Sequence, residues 1–219
     1  MQVQAGDKVL GGRYEFIRVV KAVDERRASE LWLAEGEYQE LYLAKVWPAR
    51  AGQSSAVERA LWDRELRTMY RVCSSPSAER SLLVIRDAGV DQRHGAFVMM
   101  LRAAEGAANG YTPLADVLRQ RSDHDWLSNR DERARRHLWQ GLRLVARGVQ
   151  LLHTQRVLHR NVEAANVFLN PDVGPATFRL SGFEWSVRLG ELHLAAGRPP
   201  SGLCVGHNGN CSGICGSGA

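Results

Sequence analysis

Lysine is almost missing from this chain. Lys8, Lys21 and Lys45 are the three it has in 219 residues, so the formal charge of +5 rests on arginine. No apolar run approaches the ~20 residues a membrane-spanning helix needs. The start, "MQVQAGDKVLGG", has no charged-then-apolar leader pattern. A cytoplasmic protein with no membrane partner is expected. Cysteine is scarce as well. Cys73 stands alone in the body of the chain and reads as a reduced, half-buried thiol, while Cys204, Cys211 and Cys215 crowd the end. With His207 those three spell C-x2-H-x3-C-x3-C, a spacing that suits zinc ligands. The surrounding "GLCVGHNGNCSGICGSGA" is mostly Gly, Ser and Asn, with little to pack around a metal. No zinc is expected, and residues 197–219 read as a flexible, non-native-looking tail.

What is present is ordinary for a folded chain: 44% hydrophobic and 24% charged residues, enough to bury a core. The arginines concentrate in Asn129 to Gly148. Helical spacing and the neighbouring Asp131 and Glu132 make that stretch a solvated helix face of mixed charge, and no nucleic-acid partner is expected.

The first third reads as strands: Arg13 to Val20, Glu30 to Gly36, and "LYLAKVWP" stopping at Pro48. A helix follows over "AVERALWDRELRTMYRV", with Val57, Leu61, Leu66, Met69 and Val72 at helical steps. "SLLVIRDAGV" and "GAFVMML" are two more strands. The later part turns helical. Thr112 is the expected N-cap and Pro113 the first residue of a short helix. A long helix is expected from Arg130 to Thr154, with Leu138, Leu142, Val145, Val149 and Leu152 as its buried stripe. "NVFLN" and "TFRLSGF" form a small hairpin around "NPDVGP". The order lacks regular β-α-β alternation, which points to an α+β fold rather than a doubly wound sheet.

The segment "VLHRNVEAANVFLN", Val157 to Asn170, carries more than local structure. With "LYLAKVW", Glu65 twenty residues after Lys45, and "LSGFEW", it resembles a protein kinase domain of the bacterial serine/threonine type, from about Arg13 to Glu184. The resemblance implies a two-lobed protein-kinase-like fold. Residues 1–101 would be a β-rich N-lobe of five strands and one helix, and 102–196 a partial, mostly helical C-lobe. It implies that Lys45 meets ATP phosphates and pairs with Glu65. Ala44 and Phe168 would sandwich the adenine. Met99 would be the gatekeeper, with Met100 and Leu101 offering backbone groups to the base. Asn166 would be a magnesium ligand.

The departures from the family concern the chemistry. Asn161 stands where the family has the aspartate that accepts the substrate proton, and a neutral amide cannot do this; a positioned base is typically worth ~10²–10⁴ in rate. Gly182 replaces the metal-binding aspartate of Asp-Phe-Gly, and Glu184 replaces its glycine. In an alternative register Glu184 itself reaches the metal. Asp24, Arg26 and Ser29 take the places of the three glycines of the phosphate-covering loop. Nothing resembling the Ala-Pro-Glu motif follows. The expectation is an inactive, C-terminally truncated pseudokinase with a regulatory or scaffolding role. ATP binding should be weak or absent and magnesium should add little. A protein partner, or the missing part of the C-lobe, should cover the exposed surface of the long helix. Three alternatives stand beside it: an active atypical protein kinase using Lys45, Asn166 and a base such as Glu163, an aminoglycoside-type phosphotransferase, and a plain interaction module.

Overall fold

The computed structural model describes residues 3–22, 29–48, 55–102, 111–127 and 131–190. Those residues form a mixed α+β structure. Its largest element is a six-stranded antiparallel sheet, ordered β1-β2-β3-β4-β6-β5. The strands are β1 (Lys8–Val9), β2 (Tyr14–Lys21), β3 (Glu30–Gly36), β4 (Leu41–Trp47), β5 (Ile85–Asp91) and β6 (Ala96–Arg102). Five match the strands read from the sequence. The sixth, β1, is two residues long and too short to leave a periodic signal.

β4 and β6 lack the polar alternation of a half-solvated strand because both of their faces are covered. Leu43 and Trp47 of β4, with Phe97, Met99 and Leu101 of β6, join one core. Tyr42, Ala44, Val46, Ala96, Val98 and Met100 join a second core on the opposite face, closed by Phe16, Trp32 and the N-terminal Val3, Val9 and Leu10. Successive side chains of a strand point to opposite faces, so Ala44 and Lys45 belong to different sides of the sheet.

Helix α1 (Ser55–Cys73) packs on the Lys45 side. Met69 and Val72 are its buried anchors, whereas Val57 is exposed. The Trp62 indole N–H donates to the Val98 carbonyl at 3.2 Å and its ring lies 5.4 Å from Phe97, which fixes the helix against β6. Cys73 is a free, half-buried thiol whose pKa burial pushes up to about 11.

The remaining elements are β7 (Thr112–Pro113), α2 (Leu114–Arg119), α3 (Glu132–Thr154), β8 (Val157–Leu158), β9 (Val167–Leu169), β10 (Arg179–Leu180) and β11 (Val187–Arg188). β9 and β10 pair as the expected hairpin, with Phe168 opposite Arg179. α2 starts one residue later than expected, with Pro113 rather than Thr112 at its N-cap. Thr112 and Pro113 pair with Leu169 and Phe168 on the free edge of β9, and the proline, which cannot donate to a ladder, takes the edge position open to it. α3 begins at an N-cap, with the Asp131 carboxylate accepting from Arg133 N at 2.8 Å.

The buried stripe of α3 is Ala134, Gly141, Val145, Gly148 and Leu152. Of the stripe the sequence suggested, Val145 and Leu152 are buried, Leu138 and Val149 pack on the core half-buried, and Leu142 is exposed. The glycines add close approach: a Cβ on Gly141 would lie 2.8 Å from Pro175, and one on Gly148 2.9 Å from Leu82. The α3 arginines sit on exposed positions, Arg136 pairing with Glu132 at 2.5 Å. No helix among the described residues is long and apolar enough to cross a membrane. The tail, with Cys204, His207, Cys211 and Cys215, lies outside the described residues, as do Asp24 and Arg26.

Candidate functional site

A cleft of about 580 Å³ opens between β3 and β4 on one side and the β8–β9 and β10–β11 segments on the other. Lys45 enters it from β4. Its ammonium lies 2.7 Å from both oxygens of Glu65 on α1, and 2.9 Å from Glu184 Oε1. All three side chains are largely buried. Burial alone would push the Lys45 pKa down, but the two carboxylates outweigh it and hold the ammonium above its usual value. The Glu65 carboxyl is pushed up by burial and by Glu184, against the pull of Lys45. Glu65 Oε1 also accepts from Phe183 N at 3.3 Å, so one carboxylate joins β4, α1 and the segment before β11. The expected Lys45–Glu65 pair is thus present, with a second carboxylate beside it. Ser29 donates its hydroxyl to that second carboxylate, closing the cleft from β3.

The opposite wall is built around His159 and Asn166. The His159 ring is buried and uses both nitrogens: Nδ1 accepts from Asn161 N at 3.2 Å, so Nε2–H donates to the Ser181 carbonyl at 2.9 Å. Burial lowers its pKa to about 4, and nearby Lys45 adds to that. Asn166 Nδ2 donates to the Asn161 carbonyl at 3.0 Å and to Glu163 Oε1 at 3.2 Å. Asn161, Glu163, Asn166 and Glu184 all line the cleft.

Gly182 lies against Asn166 in the left-handed region, at φ +80° and ψ 54°. A Cβ built there would fall 2.5 Å from Asn166 Cγ. No side chain of any kind fits at position 182 while Asn166 stays where it is. The carboxylate that reaches into the cleft from this segment therefore comes from Glu184, two residues on. Glu163, Asn166 and Glu184 bring side-chain oxygens to this part of the cleft. A cation at Glu184 would have to compete with the Lys45 ammonium and the Ser29 hydroxyl for Oε1. Among the described residues no group of three or more His, Cys, Asp or Glu is placed to hold a metal ion.

Four expected base-binding residues are elsewhere. Ala44 is fully buried in the core on the far face of the sheet, so it cannot oppose Phe168. Leu31 of β3 is the apolar residue that lines the cleft with Phe168. Met99 is buried beside Lys45 as its cross-strand neighbour but does not line the cleft. Met100 and Leu101 lie within β6, flanked by β4 on one edge and β5 on the other, so their backbone groups serve the ladders rather than a ligand. Phe168 does line the cleft, and the Lys21 ammonium sits 5.5 Å over its ring while donating to the Ala165 carbonyl at 2.5 Å.

The sequence reading missed Leu31 as a lining residue and gave no role to His159, although the motif it rests on contains that histidine. Lys21 does not line the cleft but contacts two residues that do, Ala165 and Phe168.

The neutral His159 predicts an acid sensitivity. The unfolded imidazole takes up a proton near pH 6.5 and the native one only near pH 4. Between those values the unfolded state binds more protons, so stability falls as pH falls through this window and is unaffected above it. The full effect is about 3 kcal/mol. Urea unfolding of the parent and of His159→Gln at intervals from pH 7 to pH 4 checks this. The parent should lose that extra stability and the variant should not. Glu65 titrates with the opposite sign in both proteins and cancels in the comparison. Equal slopes would mean that the ring protonates freely in the native state.

No protein-family model matches the chain, and no curated protein matches it.

Proposed function

We propose that this chain is a protein-kinase-like domain of two lobes whose cleft no longer transfers phosphate, and that it acts as a regulatory or scaffolding pseudokinase. The observation that carries the reading is the buried Lys45–Glu65 pair, made between a sheet strand and the packed helix, with Asn166 facing it across one cleft. Several features support loss of activity. Asn161 offers an amide where a proton acceptor is needed. Gly182 has no room for a carboxylate beside Asn166. Lys45, which would meet a phosphate, is held by two carboxylates, so an incoming anion meets a negative environment. Exposed Trp139 and Leu142 on α3 suit a partner surface or further helical structure of the domain.

A second reading, an active atypical phosphotransferase, is favoured by Glu184. Its carboxylate beside Lys45 could serve a metal if a nucleotide displaced the lysine, with Glu163 as the base near Asn166. Thermal unfolding with millimolar ATP separates the two, because a ligand that binds only the folded state stabilises it by RT ln(1 + [L]/Kd). The pseudokinase reading expects a small shift, nearly equal with EDTA and with magnesium, and no transfer of label from ATP to a generic protein substrate. A large shift that needs magnesium, accompanied by transfer, would establish the second reading, and Glu184→Gln should then abolish both.

A further inference from the structure

The large sheet has β1 at one edge and β5 at the other, and three contacts draw those edges together. Arg13 pairs with Asp87 of β5 at 2.6 Å. Leu10 leans on Gly89 of β5, where a Cβ would fall 2.9 Å from its side chain. Asp7 Oδ2 lies 3.2 Å from Nε2 of His94, in the turn from β5 to β6. The segment that makes these contacts brings Val3, Val9 and Leu10 to the second core. Leu10 does so at φ +51°, a left-handed backbone that residues with a side chain rarely adopt.

His94 is held from both sides. Its Nδ1 bonds to the Asp91 carboxylate, and Asp91 Oδ2 also accepts from His94 N at 3.3 Å. Both of these side chains are 6% exposed. Asp7, on the other side, is 31% exposed at the side chain and accepts from Gln4 N at 2.7 Å. Of the other charged groups on the elements that meet here, Lys8 pairs with Glu15 at 3.9 Å and Arg13 with Asp87. Arg86 lies beside Tyr42, and Arg93 is exposed. A neutral imidazole carries one ring proton and presents a lone pair at its other nitrogen, whereas the imidazolium donates from both. Two carboxylates, one at each nitrogen, therefore match the protonated ring. When the ring loses a proton, the buried Asp91 keeps Nδ1–H, and the lone pair is left facing Asp7.

We propose that His94 is a proton-dependent latch for the N-terminal segment. Protonated, it bridges Asp91 and Asp7 and holds residues 3–10 over the face of the sheet away from Lys45. Deprotonated, it keeps Asp91 and lets go of Asp7, and the left-handed backbone at Leu10 favours release. Charge fixes the direction: the contribution of the Asp7 contact is present at acidic pH and is lost as pH rises through the range in which imidazoles titrate. Release uncovers Val3, Val9 and Leu10 together with the apolar face they close. The latch shares no residue with the cleft, so the proposal stands or falls independently of nucleotide binding there.

Amide hydrogen exchange of the full chain tests it. Gly6 N donates to the Phe16 carbonyl at 2.7 Å and Phe16 N to the Asp7 carbonyl at 3.0 Å, so both amides report on the segment. Their protection factors, which remove the intrinsic effect of pH, should fall about tenfold or more between about pH 5.5 and about pH 8, as for loss of one hydrogen bond to a charged group. The amides of β4 and β6 should keep theirs. In Asp7→Asn the fall should vanish, because an amide side chain can accept from the ring N–H or donate to its lone pair. His94→Gln, which has no titrating ring, should show no fall either. Asp7 is partly exposed, so its variant reads the latch even where His94→Gln fails to fold. The proposal is overturned if protection of Gly6 and Phe16 in the parent does not change with pH, if β4 and β6 lose protection equally, or if the fall persists in Asp7→Asn.

Discussion

Lys45→Ala should destabilise the protein by about 3–5 kcal/mol in urea unfolding, the range for stranding buried charge by removing one partner. The loss comes less from the contacts removed than from what stays behind. Glu65 and Glu184 are 1% and 13% exposed at the side chain and would face each other without a counter-ion. The remedy open to them is to protonate, and Glu65 is already pushed in that direction. The deficit should therefore shrink as pH is lowered from 7 towards 5, the reverse of the His159 trend. Lys45→Met/Glu65→Leu should lose less than Lys45→Ala alone, because two apolar side chains replace the pair and leave a single carboxylate. A loss below about 1 kcal/mol for Lys45→Ala is the behaviour of a solvated surface pair, and would mean that water reaches the cluster.

Phe168→Ala should cost a similar amount, about 3–5 kcal/mol. The ring is 4% exposed and belongs to the principal core. It sits where β7, β9 and β10 meet, opposite Pro113 on one side and Arg179 on the other. Truncation would leave a cavity beneath the Lys21 ammonium, which now rests over the ring at 5.5 Å. Neither β7 nor β10 is longer than two residues, so little backbone pairing remains to keep the site from loosening. Phe168→Leu, which fills most of the space, should recover the larger part of the loss. An effect near zero for Phe168→Ala would show the ring to be solvated.

Much of the large sheet was legible because β2 to β6 are rich in aromatic and branched residues and are bounded by polar turns. The Lys45–Glu65 pair was legible through the resemblance, which implied it; the scarcity of lysine made Lys45 easy to place. The errors share a cause. Where both faces of a strand are buried, hydrophobicity no longer marks which side a residue takes, and Ala44 was placed beside Lys45's cleft when adjacency in sequence puts it on the other face. Met100 and Leu101 were read as open backbone, which required knowing that β5 pairs along the outer edge of β6. On α3 Val145 and Leu152 were read correctly, but the closest approaches are at Gly141 and Gly148, and a hydrophobic stripe cannot register residues whose use is to be small. Thr112-Pro113 has the composition of a helix start, and only the free edge of β9, distant in sequence, turns it into a strand. Glu184 was kept as an alternative register; its place beside Lys45 depends on the turn at Gly182, which sequence spacing does not reveal.

The packing of Gly182 on Asn166 has a consequence for how the chain can change. The space a side chain at 182 would need is the space Asn166 fills, and the backbone there is left-handed. The two positions are therefore epistatic. A carboxylate introduced at 182 alone must dislodge Asn166 from its bonds to Asn161 and Glu163, and a truncation at 166 alone leaves a hole above a glycine. Each single step is unfavourable even if the pair of changes is tolerated, so the effects of mutations at these sites will not add. A chain in this arrangement sits behind a ratchet: a carboxylate at position 182 is reached only by passing through a worse protein.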